Sequence, residues 1–89
     1  MASPTGTITL NENAVLISAS IAPDIQAGSA SGVVGIIEQI GTGVTVWAVS
    51  DLVLFNANQS VPFKEADNTF QVVMQDYIYL KYESAPPPP

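Results

Sequence analysis

The sequence predicts an all-β fold, a small barrel or sandwich of short antiparallel strands with an extended N-terminal arm and a proline-rich C-terminal tail. Two observations predict this class. Apolar residues come in short runs of the β-branched and aromatic side chains that suit a pleated surface, such as VVGII at 33–37 and LVLF at 52–55. Turn residues separate the runs at intervals of about eight to twelve residues, without the length or period of a helix.

One domain is predicted between two extensions. The segments are an arm at residues 1–6, a β-barrel domain at 7–83 and the proline-rich tail at 84–89. A chain of 89 residues permits only a modest core. Because 47% of the residues are hydrophobic, only 11% are charged and no cysteine offers a disulfide, we expect subunits to share surfaces as a homo-oligomer.

The first two strands are predicted from the spacing of turn and apolar residues. A turn at residues 11–13 precedes the first strand, Ala14–Ala19. Residues 20–31 include Pro, Gly and Ser without a sustained period and are predicted as a mobile loop. In the second strand, Gly32–Ile40, apolar side chains fall on both faces, so we expect both to be covered, one of them by a neighbouring subunit.

Five further strands follow. They are predicted at residues 44–49, 52–55, 61–64, 69–74 and 77–82. Pro62 suits an edge strand, because proline cannot donate to a ladder. Alternation in the strand at 69–74 puts Phe70 and Val72 on one face, and in the last strand it makes Ile78 and Leu80 the inward residues.

Residue types that carry most enzyme chemistry are missing from the sequence. The chain has no histidine, cysteine or arginine, and its only basic side chains are Lys64 and Lys81. Without the usual proton shuttle, thiol nucleophile or soft metal ligands, the sequence predicts a protein that is not an enzyme, with no catalytic residue, cofactor or metal site.

Charge and hydropathy exclude further classes. A formal net charge of −6 argues against binding to nucleic acid or an anionic membrane, since both depend on Lys and Arg. No stretch approaches the ~18 apolar residues that span a bilayer, and the N-terminus lacks the basic and apolar regions of a signal peptide. The expectation is a soluble protein that is not exported.

The segment VSDLVLFN at residues 49–56 is similar to the V-G-D-x-V-x-F segment of the small GroES-type co-chaperonins. The resemblance extends in order along the chain. LNENAVLIS at 10–18 resembles that family's opening PLHDRVIVK strand, GVVGIIEQIGTG at 32–43 resembles its GEVLAVGNG strand and turn, and residues 68–83 resemble its closing NEEVLIMSESDILAIVE segment. The resemblance implies a small β-barrel that assembles through exposed strand edges.

The sequence departs from the family in the regions through which members of the family function. Its mobile loop docks on a chaperonin through a hydrophobic tripeptide, whereas the loop at 20–31 is shorter and has only Ile21 and Ile25 as large apolar side chains. The roof hairpin is largely missing, because little chain separates the turn at 41–43 from Ser50. Ser50 also stands where the family has a turn glycine, so a different local backbone conformation is expected.

Candidate interface residues are apolar positions without an obvious place in a small core, together with the docking-loop isoleucines and the tail. They are Val33, Ile37, Trp47, Ile21, Ile25, Pro86, Pro87, Pro88 and Pro89. Core packing is the alternative for Trp47, and the same two interpretations apply to Tyr77, Tyr79 and Tyr82. The four prolines form a polyproline II segment that either lies over a neighbouring subunit or is a disordered end.

The leading hypothesis is a non-enzymatic homo-oligomeric structural subunit, a virion protein that decorates or cements a bacteriophage capsid, with a capsid or other structural protein as partner. The alternative is a divergent cytoplasmic co-chaperonin that caps a chaperonin ring, with Ile21 and Ile25 as its docking contacts. A third hypothesis is a small-ligand or carbohydrate-binding β module that uses exposed aromatic residues.

Overall fold

Six short strands and two 3₁₀ helices make up the described part of the chain, which comprises residues 6–19, 32–65 and 67–82 of a computed structural model. The strands are β1 (Ala14–Ala19), β2 (Gly32–Ile40), β3 (Leu52–Asn56), β4 (Val61–Glu65), β5 (Asn68–Met74) and β6 (Ile78–Tyr82). The 3₁₀ helices, Ala57–Gln59 and Gln75–Tyr77, precede β4 and β6, and these ranges contain no α-helix. The all-β prediction is confirmed.

The strands form one sheet in the order β4-β5-β1-β2-β3-β6, and every neighbouring pair is antiparallel. β4 and β6 lie at the two edges and do not pair with each other, so the sheet is open. β1 and β2 have the bounds predicted from the sequence. The structure shows the predicted small all-β domain as one open antiparallel sheet, and the described strands do not close into a barrel.

The predicted strand at residues 44–49 is wrong, because this part of the chain is a loop between two turns. Val44 N donates to Gly41 O at 3.1 Å, and Asp51 N donates to Ala48 O at 3.1 Å. The side of β2 that does not pair with β1 is already paired with β3. Residues 44–49 therefore have no strand beside them with which to form a ladder.

The hydrophobic core lies on one side of the sheet, which we call the core face. Its buried members are Val15, Ile17, Ile37, Val44, Val53, Phe55, Val73 and Ile78. Val33, Ile40 and Trp47 are partly buried against them. Most members come from alternate positions along their strands, as the pleat of a sheet requires.

β1 is buried on both sides. Its residues Val15 and Ile17 belong to the core face, and Leu16 and Ser18 lie on the opposite side, the second face. None of the four is more than 5% exposed. The partner of Ser18 on β5 is Phe70, which is also buried. The centre of the sheet is therefore covered on both faces.

The N-terminal segment crosses the second face. It leaves the turn that precedes β1 and reaches the far end of β4, where Gly6 N donates to Glu65 Oε2 at 3.0 Å. Residues 7–10 alternate between exposed threonines and half-buried Ile8 and Leu10, which indicates that the latter two face the sheet. Glu65 lies on the same side of β4 as Phe63, the partner of Phe70, so the bond from Gly6 holds the segment on the second face.

A β-bulge in β6 corrects the predicted alternation. Leu54 pairs with Leu80 and Phe55 pairs with Ile78, which makes Tyr79 the extra residue. Ile78 is buried on the core face, whereas Leu80 is 46% exposed on the second face. The prediction that both face inward is right for Ile78 and wrong for Leu80, because a bulge shifts the alternation by one residue.

Gly35 lies where β2 passes close to side chains of β1 and β3. A Cβ at this position would overlap Ile17 Cγ2 and would lie 2.7 Å from Ser18 O and 3.3 Å from Phe55 Cε1. Two of these neighbours belong to the buried core, which has little freedom to move. The sheet therefore has no room for a side chain at residue 35.

Gly35→Ala is expected to lower the free energy of unfolding by about 2 kcal/mol, because overpacking displaces core side chains from their rotamers. Gly6→Ala is the matched control, since its Cβ would meet only the flexible Glu65 side chain, at 3.2 Å. Urea unfolding followed by the fluorescence of the single tryptophan measures both variants. Equal stability of the two variants would contradict the close packing at Gly35.

The turn before β3 places Ser50 in a conformation that favours glycine. The turn is closed by Asp51 N and Ala48 O, and Ser50 has a φ of 79°. A positive φ at the third turn residue but not at the second is typical of a type II β-turn. Ser50 N also donates to Ile37 O at 2.8 Å, so the turn continues the β2–β3 ladder. Ser50 thus has a backbone conformation that glycine adopts without strain.

Ser50→Gly is expected to raise the free energy of unfolding by about 1 kcal/mol, because glycine adopts a positive φ without the steric cost of a Cβ. Thr42→Gly is the control in the neighbouring turn. Thr42 has no positive φ, so the change adds only freedom to the unfolded chain and should destabilise the protein. Thermal unfolding by circular dichroism measures both. Destabilisation by Ser50→Gly would contradict this account of the turn.

Candidate interaction surface

An uncharged apolar surface extends over β2, β3 and β6 on the second face. It consists of two cross-strand rows, one joining Ile36, Leu52 and Tyr82 and the other joining Val34, Leu54 and Leu80. We call these six residues the outer apolar patch. Leu80 is 46% exposed and Tyr82 is 37% exposed, and the other four are half-buried. Contiguous exposed apolar side chains are typical of an interaction site.

The patch follows from the sequence of β3. Four consecutive positions, 52–55, are apolar, and a strand turns alternate residues to opposite faces. The core face takes Val53 and Phe55, which are buried, and Leu52 and Leu54 are left on the second face. A strand that is apolar on both sides requires cover on both sides. In the described ranges, that cover is incomplete over β3.

Both edges of the sheet carry features that oppose pairing with another strand. β4 contains Pro62, which lacks a backbone N–H, and Lys64, while β6 contains Lys81 and the bulge at Tyr79. Lysine, proline and bulges each protect a sheet edge from edge-to-edge association. The apolar surface most open to a partner is therefore a face of the sheet, and not its edges.

A polar junction fixes the approach to β6. Gln75 N donates to Asn13 O at 2.8 Å, and Gln75 Nε2 donates to Asn13 Oδ1 at 2.9 Å. In the same junction, Gly43 N donates to Glu12 O at 2.7 Å. These bonds join the turn before β1, the loop after β2 and the 3₁₀ helix before β6. These hydrogen bonds therefore hold the start of β6, the edge strand of the patch, in place.

Asp51 connects the turn before β3 to β6. Its Oδ2 accepts a hydrogen bond from Ala48 N at 2.9 Å, and its Oδ1 lies 4.0 Å from Lys81 Nζ. The Lys81 side chain is 38% exposed, so solvent screens the ion pair. We therefore expect the hydrogen bond to Ala48 to contribute more to the turn than the ion pair does.

Asp51→Ala is expected to lower the free energy of unfolding by about 1 kcal/mol, because Ala48 N loses its side-chain acceptor. Asp51→Asn keeps an acceptor and loses the charge, so its stability should lie within about 0.5 kcal/mol of the wild type. Urea unfolding distinguishes the two. A loss with Asn as large as with Ala would mean that the ion pair to Lys81 holds the turn.

The structure places three of the candidate interface residues in contacts within the chain. Ile37 is 1% exposed inside the core cluster, and Val33 and Trp47 are half-buried against that cluster. The remaining candidates lie outside the described residues, namely Ile21, Ile25, Pro86, Pro87, Pro88 and Pro89. The contacts of Trp47 are those of the core-packing alternative.

Three of the exposed aromatic residues lie on β6 or directly before it. Tyr77, Tyr79 and Tyr82 are all exposed, as an interface would require. Sequence reasoning missed the leucines beside them, Leu54 and Leu80. The signal that could have found Leu54 is the uninterrupted apolar run at 52–55 in a chain too short to cover both faces, whereas the exposure of Leu80 depends on the bulge.

Elsewhere in the described ranges, the buried polar side chain of Ser18 has a hydrogen-bonding partner within the sheet. Buried Ser18 donates from its Oγ to Glu38 Oε2 at 2.8 Å, and Glu38 is the extra residue of a bulge on β2. No group of three or more His, Cys, Asp or Glu side chains converges in residues 6–19, 32–65 and 67–82. The Ser18–Glu38 bond satisfies a buried hydroxyl where β1 and β2 change register.

A small cavity opens at one end of the sheet, next to the ends of β1 and β3 and the start of β2. It has a volume of about 160 Å³ and is lined by Ile17, Ser18, Val33, Val34, Phe55, Thr69 and Gln71. Gln71 Oε1 accepts a hydrogen bond from Ser60 Oγ at 2.8 Å. The lining is mainly apolar, and the cavity is well below the size of typical ligand sites, about 300 Å³ or more.

No protein-family model matches this sequence, and no curated protein is significantly similar to it. The resemblance to GroES-type co-chaperonins therefore stays a prediction from the quoted segments. Among the described residues, no helix has the length and apolar character needed to cross a membrane.

Proposed function

We propose that the protein is a non-enzymatic, homo-oligomeric structural subunit, and that the assembly it serves is a bacteriophage capsid, which it decorates or cements. The outer apolar patch is the observation that carries this proposal. It offers an uncharged apolar surface for contact between copies, on a sheet whose edges are protected from pairing. The proposed location is the virion, and the proposed partners are further copies of the chain and a capsid protein.

Residue chemistry supports a part that binds and does not catalyse. The chain lacks histidine, cysteine and arginine, so the commonest general bases, thiol nucleophiles and phosphate-binding side chains are missing. The described hydroxyl–carboxylate pair, Ser18 and Glu38, has a structural place in a strand junction. A capsid is the more specific part of the proposal, and particle binding tests it separately.

The second candidate is a divergent co-chaperonin built on a GroES-type barrel, and the conformation of Ser50 favours it. The V-G-D segment of that family resembles Val49, Ser50 and Asp51, and Ser50 has the positive φ that a turn glycine would adopt. An open sheet, a shortened loop at 20–31 and the lack of a roof hairpin weigh against it. The apolar patch is the broader support, so the structural subunit ranks first.

The purified protein is expected to sediment as an oligomer at micromolar concentration, because the outer apolar patch remains half-exposed in a single copy. Particles from which this protein has been removed should bind it saturably and should become more resistant to heat. A folded monomer at every concentration would contradict the homo-oligomer. An oligomer that fails to bind particles would contradict only the capsid.

Co-sedimentation with a chaperonin ring in the presence of ATP tests the second candidate. The structural subunit is expected to show no such binding. Binding that is abolished by Ile21→Ser and Ile25→Ser would instead support a co-chaperonin, since burial of two isoleucines contributes several kcal/mol, roughly. Ile8→Ser serves as the matched control, because Ile8 lies outside the loop at 20–31.

A further inference from the structure

We infer that the outer apolar patch packs face to face against the same patch of a second copy of the chain, with a two-fold axis running along β3. This inference rests on the proposed homo-oligomer and names its contact surface. The structure offers two kinds of surface for such a contact, the edges of the sheet and its second face. Each kind makes a different prediction for substitutions in β6.

The sheet edges are the less suitable surface. Head-to-tail pairing of β6 with β4 of another copy would bring Pro62 into the ladder, where it cannot donate a hydrogen bond. The same pairing would set Lys64 of one copy beside a strand that carries Lys81. β6 itself is bulged at Tyr79, which interrupts the regular ladder that a new strand would extend.

The occupant is a second copy because of charge. The chain carries a net charge of −6, so two copies repel each other on average and meet most easily where no carboxylate lies. The outer apolar patch is free of charged side chains along both of its rows. Two copies that meet through this patch bury apolar area without opposing their acidic residues, and a two-fold contact makes the patch its own partner.

The exposure of the patch residues fixes the direction of the axis. Leu80 and Tyr82 on β6 are exposed, whereas Val34 and Ile36 on β2 are half-buried. An axis along β3 places β6 of each copy over β2 of the other. The exposed side chains then meet the recessed ones, with the two sheets packed about 10 Å apart. An axis across the strands would instead oppose β6 to β6 and β2 to β2, so that exposed side chains meet exposed ones and recessed side chains face each other across a gap.

Cross-linking tests the face directly, because the chain has no cysteine of its own. Leu54→Cys lies on β3, next to the inferred axis, and should give a covalent dimer with a short bismaleimide. Val61→Cys is the control, since it lies on the same face but on β4 at the far edge, and it is 65% exposed. Cross-linking that is equal at both positions would overturn the inferred contact.

Sedimentation of charge variants tests whether the face or the edge is used. Leu80→Glu should raise the dimer dissociation constant more than tenfold, because it places a carboxylate inside the apolar contact. Tyr79→Glu is the matched control, on the same strand and more exposed at 58%, and should leave the constant within about threefold of the wild type. Circular dichroism checks that both variants are folded.

The outcomes separate this inference from the proposed function. A wild-type protein that stays monomeric would overturn both. An oligomer that Leu80→Glu leaves intact would overturn the patch and keep the homo-oligomer. An equal loss with Tyr79→Glu would identify the edge of β6 as the contact and would also overturn the face. If Leu80→Glu does not fold, the two cysteine variants decide between these results.

Discussion

The structure depends on β1, which is buried on both of its sides. Five consecutive residues, from Ala14 to Ser18, are at most 5% exposed, and β2 and β5 take up the hydrogen bonds at its two edges. A strand in this position needs an apolar layer above and another below. An 89-residue chain has to build both layers from loops and short strands, because it has little sequence to spare.

The two layers are completed to different degrees. On the core face, side chains from β1, β2, β3, β5 and β6 close over one another, and the loop after β2 adds Val44. On the second face, the segment at 7–10 crosses the sheet between the turn before β1 and Glu65, held at its end by the bond from Gly6. Such a segment covers the middle of the sheet and leaves β3 and β6 with exposed apolar side chains. The outer apolar patch is thus the part of the second face that the described residues of a short chain do not cover.

Local patterns predicted much of this fold, and contacts distant in sequence account for what they missed. The bounds of β1 and β2 follow from turn residues that flank apolar runs, and the edge position of β4 follows from Pro62. The prediction of a strand at 44–49 was wrong, because the alternation of side chains carries no information on whether a neighbouring strand is free to pair. The prediction that Leu80 faces inward was wrong, because the bulge at Tyr79 arises from pairing with β3 and has no signature in the local sequence.

The positions of the charged residues affect how copies of the sheet can associate. The only two basic side chains, Lys64 and Lys81, lie on the two edge strands, at opposite limits of the sheet. A lysine on each edge strand opposes growth of the sheet in both directions. The net negative charge adds a general repulsion between copies. The outer apolar patch carries no charged side chain in either of its rows, so neither of these effects opposes a second copy there.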